Sequence, residues 1–225
     1  MRILNLFAGI GGNRASWGNK HEITAIEQDQ VIALIYQKRF PGDKVIVGDA
    51  YEYCLQQYEN FEFIWASPPC PTHSLANNWL HSQGVKRYPD MGLWKIIIFL
   101  EYFCEYNGKK IYWVVENVHP YYKPLRKPRF IIERHYFWSN IPIQINKFKY
   151  SLINIINSKG SCRRSPLSYL KELEKLHDYK IPDKLAPGYE RKRKLLRNCV
   201  DFRISKYILD QVIKKNKRIQ KELEL

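Results

Sequence analysis

Short apolar runs of strand length alternate with helix-length segments over the first 115 residues, and nothing else in the sequence restricts the fold as strongly. Ile3-Leu4-Asn5-Leu6-Phe7, Glu22 to Glu27, Lys44 to Val47, Phe61 to Ala66 and Ile111 to Val115 read as strands. Glycines and a short helix follow the first strand. Asp29 to Phe40 reads as a helix with an acid in its first turn, stopped by Pro41-Gly42. Residues 50–58 read as another helix, and 91–107, apolar on nearly every face, as a buried one. Strand–helix alternation of this kind predicts an α/β fold, a parallel sheet covered on both faces. The 225 residues suffice for one well-buried domain with a small appendage, and 45% hydrophobic content suits a globular chain.

An open α/β sheet binds ligands at the carboxyl ends of its strands. At the end of the first strand stands Phe7-Ala8-Gly9-Ile10-Gly11-Gly12. Glycines there let the backbone approach a ligand closely and leave helix amides pointing outward. A dinucleotide fingerprint requires a third glycine at position 14, where this chain has Arg14. The pattern therefore suits a nucleoside-type ligand without a pyrophosphate. Glu27 and Asp49 close the next two strands, placed to accept hydrogen bonds from ribose hydroxyls and from an adenine amino group.

The fourth strand runs into Ala66-Ser67-Pro68-Pro69-Cys70-Pro71. Prolines on both sides fix the backbone and keep this cysteine out of a helix, presenting its thiol at the sheet edge as a candidate nucleophile. The fifth strand ends in Val115-Glu116-Asn117-Val118. A carboxylate leaving an apolar strand is desolvated, which raises its pKa and keeps a proton available. Cysteines 54, 70, 104, 162 and 199 show no short paired spacing, so neither a metal site nor a disulfide framework is expected.

Taken in order, Phe7-Ala8-Gly9-Ile10-Gly11, Pro68-Pro69-Cys70 and Glu116-Asn117-Val118 resemble the DNA cytosine-5 methyltransferases, and Arg197-Asn198-Cys199-Val200 resembles that family's closing motif. The resemblance implies a class I methyltransferase fold, Rossmann-like, with S-adenosyl-L-methionine as cofactor. It assigns Glu27 and Asp49 to the ribose and adenine, with further cofactor contacts from Phe7, Gly9, Gly11, Pro68, Asn198 and Val200. It makes Cys70 the nucleophile toward carbon 6 of cytosine and Glu116 the acid toward ring nitrogen 3. It also implies that the target base is flipped out of the duplex. Pro71 to Asp90, polar and long for a connection, is the expected lid.

Two departures stand out. The family's Gln-x-Arg-x-Arg motif is missing, and the nearest stretch, Ile132 to Asn140, offers Arg134 as the residue that contacts the base or supports Cys70. Only about sixty residues separate that stretch from Arg197, where larger members carry a whole recognition domain. The expected organisation is a catalytic domain over 1–140, a small target-recognition region over 141–196, and a segment over 197–225 whose helix, 203–220, packs back on the sheet. The recognition region holds a strand-like run from Phe148 to Ile156, then Ser161-Cys162-Arg163-Arg164, a helix from about Pro166 to His177, and Arg191-Lys192-Arg193-Lys194.

Charge identifies the expected partner. Of 37 Lys+Arg and 22 Asp+Glu, residues 1–112 hold 11 of each sign, so the whole net charge of +15 falls on residues 113–225. An excess so one-sided predicts a polyanion, which the resemblance implies is double-stranded DNA, with Arg191 to Lys194 on phosphates and Arg163 or Arg164 reading a base edge. Two other readings are a tRNA cytosine-5 methyltransferase using the same Pro-Pro-Cys site and a DNA-binding regulator with a vestigial cofactor site. The intact Cys70 and Glu116 count against the regulator. With no run of 18 apolar residues and no signal peptide, the chain is expected to be soluble and cytoplasmic, nucleoid-associated or phage-encoded in a bacterial host. A cognate restriction endonuclease is a partner the family allows.

Overall fold

The structure, a computed structural model, describes residues 1–106, 111–145 and 165–223. The strand expected near Phe148 to Ile156 and the Ser161 to Arg164 stretch lie outside these residues. A seven-stranded sheet in the order β3-β2-β1-β4-β5-β7-β6 forms the centre. Its strands are β1 (Arg2–Leu6), β2 (Glu22–Glu27), β3 (Lys44–Val47), β4 (Phe63–Ala66), β5 (Tyr112–Val118), β6 (Phe130–Ile132) and β7 (His135–Ser139). Strands β1 to β5 are mutually parallel, and β7 runs antiparallel between β5 and β6. The first five expected strands are all present.

Helices α1 (Gln30–Arg39) and α2 (Ala50–Gln57) follow β2 and β3. Each starts where the last residue of the loop is an aspartate that can satisfy orphan helix amides. Asp29 accepts from Val31 N and Ile32 N at 2.8 and 3.0 Å, and Asp49 from Glu52 N at 2.9 Å. The buried helix expected over 91–107 is shorter: α4 (Gly92–Glu101) passes into a π-helical turn, Tyr102–Tyr106. A short helix that periodicity did not reveal, α3 (Ala76–Ser82), lies in the expected lid.

Strand side chains alternate between faces, and the core divides by that parity. Leu4, Leu6, Ile64, Ala66, Trp113 and Val115 meet Cys54 of α2 and Leu93, Ile96, Ile97 and Leu100 of α4. Ile3, Ile23, Phe63, Trp65, Tyr112 and Val114 meet Ile204, Ile208, Leu209 and Val212 of the last helix, α7 (Phe202–Leu223). That helix packs on the sheet as its apolar spacing predicts. All four residues of β4 are fully buried, as a central parallel strand requires.

Helices α5 (Pro166–Leu176) and α6 (Tyr189–Arg197) pack together in a smaller core with Ile10 and with Ile35 of α1. Ser165 caps α5 with Pro166 in its first turn, so the helix begins where its residues predict. The stretch 132–140 runs from the end of β6 through a turn into β7. A two-residue turn, Glu133-Arg134, joins β6 to β7, and Glu133 takes the positive φ (53°) that such hairpin turns demand. The turn brings Arg134 to the edge where β5 ends. Among the described residues no helix is long and apolar enough to cross a membrane.

Candidate active site

The loop leaving β1 is shaped by backbone that only a few residues tolerate. Phe7, Gly9 and Gly11 have φ of 55°, 56° and 74°. A Cβ on Gly11 would lie 2.4 Å from the Phe40 ring, and one on Gly12 would lie 2.5 Å from Cys199 Cβ, so both positions exclude a side chain. Around Gly9 the space is open. Glu27 ties this loop to the end of β2, accepting from Gly9 N at 2.9 Å and from Asp29 N at 3.0 Å. A carboxylate offers about four lone-pair sites, so two remain for a ligand's hydroxyls. Asp49 caps α2 through Oδ1 and is exposed, and the space around neighbouring Gly48 is open.

Arg14, at the position of the missing third glycine, turns inward. It ion-pairs with Asp43 at 2.8 and 3.0 Å, Tyr36 donates its hydroxyl to the same carboxylate at 2.9 Å, and the guanidinium lies 4.9 Å from the Phe40 ring centre. The residue therefore locks the loop to α1. Beneath it runs the closing motif. Asn198 caps α6 and is exposed, Cys199 is buried against Gly12, and Val200 is buried with Trp17 and Ile204.

Cys70 and Glu116 leave adjacent parallel strands on one edge, as the sequence predicts, with Ala66 of β4 paired to Val115 of β5. The chain turns immediately after Cys70, whose carbonyl accepts from His73 N and Ser74 N at 3.0 and 3.2 Å. Asn117 fastens the two strand ends together: its Nδ2 donates to Pro68 O at 2.9 Å, and its Oδ1 accepts from Val118 N at 3.0 Å. Among the described cysteines Cys70 alone is not buried. Burial pushes Cys104 and Cys199 up to about 12, which keeps both as inert thiols.

Glu116 is 5% exposed, and burial pushes its carboxyl up to about 7, against the opposing pull of the Ser67 hydroxyl and the Arg134 charge. Trp65 Nε1 donates to Ser67 Oγ at 2.9 Å and orients that hydroxyl. The Cys70 thiol is pushed up by burial and then by the Glu116 charge, and pulled down by Arg134. The guanidinium thus acts on both groups, and its own pKa is lowered by burial while Glu116 and Cys70 counteract. Arg134 Nη2 also donates to Arg197 O at 3.5 Å, linking the hairpin to the closing motif. His135 Nε2 lies 3.6 Å from Glu116 Oε1, yet burial drives the imidazole down to about 3, so it stands there neutral and forms no ion pair.

The expected lid is ordered and clasped. Ser74 bridges Pro120, Tyr121 N donates to His73 O at 3.0 Å, and Tyr121 Oη donates to Arg87 O at 2.9 Å. His73 Nδ1 lies 2.6 Å from Tyr122 Oη. Gly84 (φ 79°) ends α3, with Val85 N donating to Leu80 O at 3.0 Å.

The basic cluster 191–194 lies in α6, where helical spacing separates its members. Arg191 and Lys194 are exposed. Lys192 is buried with Nζ 2.6 Å from Asp183 Oδ1, and Arg193 pairs with Glu190 at 2.5 Å. Arg163 and Arg164 lie outside the described residues. Ser67, Asn117 and Tyr121 are the site residues that sequence reasoning missed. The first two adjoin Cys70 and Glu116 closely enough to be suspected; nothing marks Tyr121.

Two solved structures share this fold. The methyltransferase EhMeth of Entamoeba histolytica aligns over 96% of this chain and 98% of its own, at 13% identity and a TM-score of 0.53. A mutant DNMT2 of Spodoptera frugiperda aligns over 94% and 99%, at 12% identity and a TM-score of 0.57. A comparison with curated proteins finds no match. Residues 1–125, the span that carries the glycine loop, Cys70 and Glu116, match the family model of the C-5 cytosine-specific DNA methylases. The chain belongs to that family, which methylates carbon 5 of cytosine with S-adenosylmethionine as cofactor.

Proposed function

We propose that this protein methylates carbon 5 of cytosine in double-stranded DNA, with Cys70 as nucleophile, Glu116 as acid and Arg134 as the cation that steadies both. The observation that carries this reading is the pairing, on adjacent parallel strands, of a partly buried thiol with a buried carboxyl, both acted on by one guanidinium. Carbon 5 of cytosine is too weak a nucleophile to take a methyl group unaided. The Cys70 thiolate adds to carbon 6 while the Glu116 proton passes to ring nitrogen 3, and the electron pair comes to rest at carbon 5. Once carbon 5 carries the methyl group, loss of its proton to solvent expels the sulfur from carbon 6, returning the thiolate to Cys70 and the nitrogen proton to Glu116. Once Glu116 carries its proton, the charge that disfavours the thiolate is gone and that of Arg134 remains.

S-adenosylmethionine supplies an electrophilic sulfonium methyl when bound. The open space at Gly9 and Gly48, the spare lone pairs of Glu27 and the exposed Asp49 suit its ribose and adenine. Phe7, Gly11 and Pro68 shape the walls, and Asn198 and Val200 support the loop from below. The target base must leave the stack to reach Cys70. Residues 1–140 form the catalytic part in this reading, 141–196 a reduced recognition region and 197–225 a strut on the sheet. The charge on residues 113–225 favours a polyanion, with Arg191 and Lys194 as its exposed contacts in α6.

DNA with 5-fluorocytosine at the target tests this, because fluorine at carbon 5 cannot leave as a proton. A covalent adduct should form on Cys70 and vanish in Cys70→Ser, with cofactor binding retained. An adduct on another cysteine would overturn the assignment, and trapping on tRNA with none on DNA would move the activity to RNA.

A further inference from the structure

Five of the twelve exposed large apolar side chains among the described residues fall between Leu75 and Met91, the stretch that follows Cys70. Trp79 (67% exposed) and Tyr88 (78%) are the two most exposed of the twelve. Exposed large apolar side chains concentrated in one stretch point to an interaction site. The segment is held in place: Tyr121 Oη and His81 Nε2 both bond Arg87 O, and the His81 ring meets the Tyr121 ring edge-on at 5.0 Å. Exposed Lys86 and Arg87 directly precede Tyr88. The segment's one acid, Asp90, is occupied in capping Gly92 N at 2.9 Å. The chain thus offers aromatic faces beside two exposed cations and one acid, in the stretch that follows Cys70.

We propose that this segment is a stacking platform for unpaired nucleotides beside the target cytosine, with Trp79 and Tyr88 against base faces and Lys86 and Arg87 on the intervening phosphates. Aromatic faces accept any base, and basic residues between them follow the backbone, which is how single strands are held without sequence readout. The platform suits a duplex that has been opened around the target. The inference rests on the nucleic-acid reading of the Cys70 site and specifies the state of the strand that this site takes. Continuity with Cys70 and the positive charge favour a nucleic acid over a second copy of the chain.

The test uses the full chain and a cytosine-free oligonucleotide carrying 5-iododeoxyuridine, single-stranded or in a gapped duplex. Irradiation should cross-link Trp79 or Tyr88. Trp79→Ala with Tyr88→Ala should weaken single-strand binding about 5- to 150-fold per base lost, leaving the salt dependence unchanged, and Trp79→Phe should restore most of it. Lys86→Ala with Arg87→Ala should instead flatten the log–log salt slope by about 0.7 per contact. Cross-links elsewhere, wild-type affinity in the aromatic double variant, or a dimer in sedimentation that this variant dissolves would each overturn the platform. The wild-type fluorocytosine adduct is read in parallel. If it forms while the platform tests fail, the inference falls and the methyltransferase reading stands; if it does not form, the reading itself falls.

Discussion

Glu116 shows how a single side chain gives the site its pH behaviour. Its carboxyl keeps a proton to about pH 7 in the folded protein, whereas in the unfolded chain it ionises near 4.5. Between those values the folded state holds the extra proton, so stability falls as pH rises through the window and is flat on either side. The loss above pH 7 amounts to about 3 kcal/mol for this group. Glu116→Gln has no such proton. Denaturant titrations of both proteins from pH 4 to 8 should show the variant gaining on wild type across the window; parallel curves would mean the carboxyl is not held protonated. In the methylation reaction the same substitution should cost about a hundred- to ten-thousand-fold. The wild-type rate should fall on the acid side, where thiolate is scarce, and again above about pH 7 as Glu116 ionises. The residual rate of the variant should lack the alkaline limb.

At the level of elements, the sheet edge was legible because strand ends are written locally. Glu22 to Glu27 and Lys44 to Val47 carry their own apolar pattern, and Asp29 and Asp49 mark the helix starts that follow. Arg134 was legible as a residue but its place in a hairpin turn was not, because a turn that depends on Glu133 taking positive φ leaves no composition signal. Helix α3 was missed because seven residues ending in a glycine turn show too little periodicity. The cluster 191–194 looked uniform in sequence, yet a helix turns each successive residue by about a hundred degrees, and Lys192 faces inward. The Asn117 fastening belongs to this scale, since it joins the ends of β4 and β5. Removing its amide in Asn117→Ala frees Pro68 O and Val118 N in a buried place and should cost about 1–3 kcal/mol of stability. A slackened Cys70 should lower kcat about a hundred-fold with cofactor affinity retained. An unchanged kcat would show that the prolines alone hold the thiol.

For the whole molecule, the division of charge was plain from the sequence, but which cations reach solvent was not, because pairing is a property of the packed chain. With Lys192 paired to Asp183 and Arg193 to Glu190, only Arg191 and Lys194 of that cluster are left for phosphates. Arg191→Ala with Lys194→Ala should flatten the salt dependence of duplex binding by about one to two log–log units and weaken all sequences alike. Affinities over a salt series would show it, and an unchanged slope would remove α6 from the DNA path. Beyond charge, Cys70 hangs from β4, the strand buried most completely and paired on both sides, while the expected lid beyond it is held outside the sheet, through His73 on Tyr122 and through bonds to Tyr121 and Pro120. Amides of β4 can meet solvent only when the whole sheet comes apart, whereas those of the lid need only a local opening. The thiol and the segment beside it therefore belong to different cooperative units, and in the proposed reaction that segment can open and close many times over without loosening the sheet that aims Cys70.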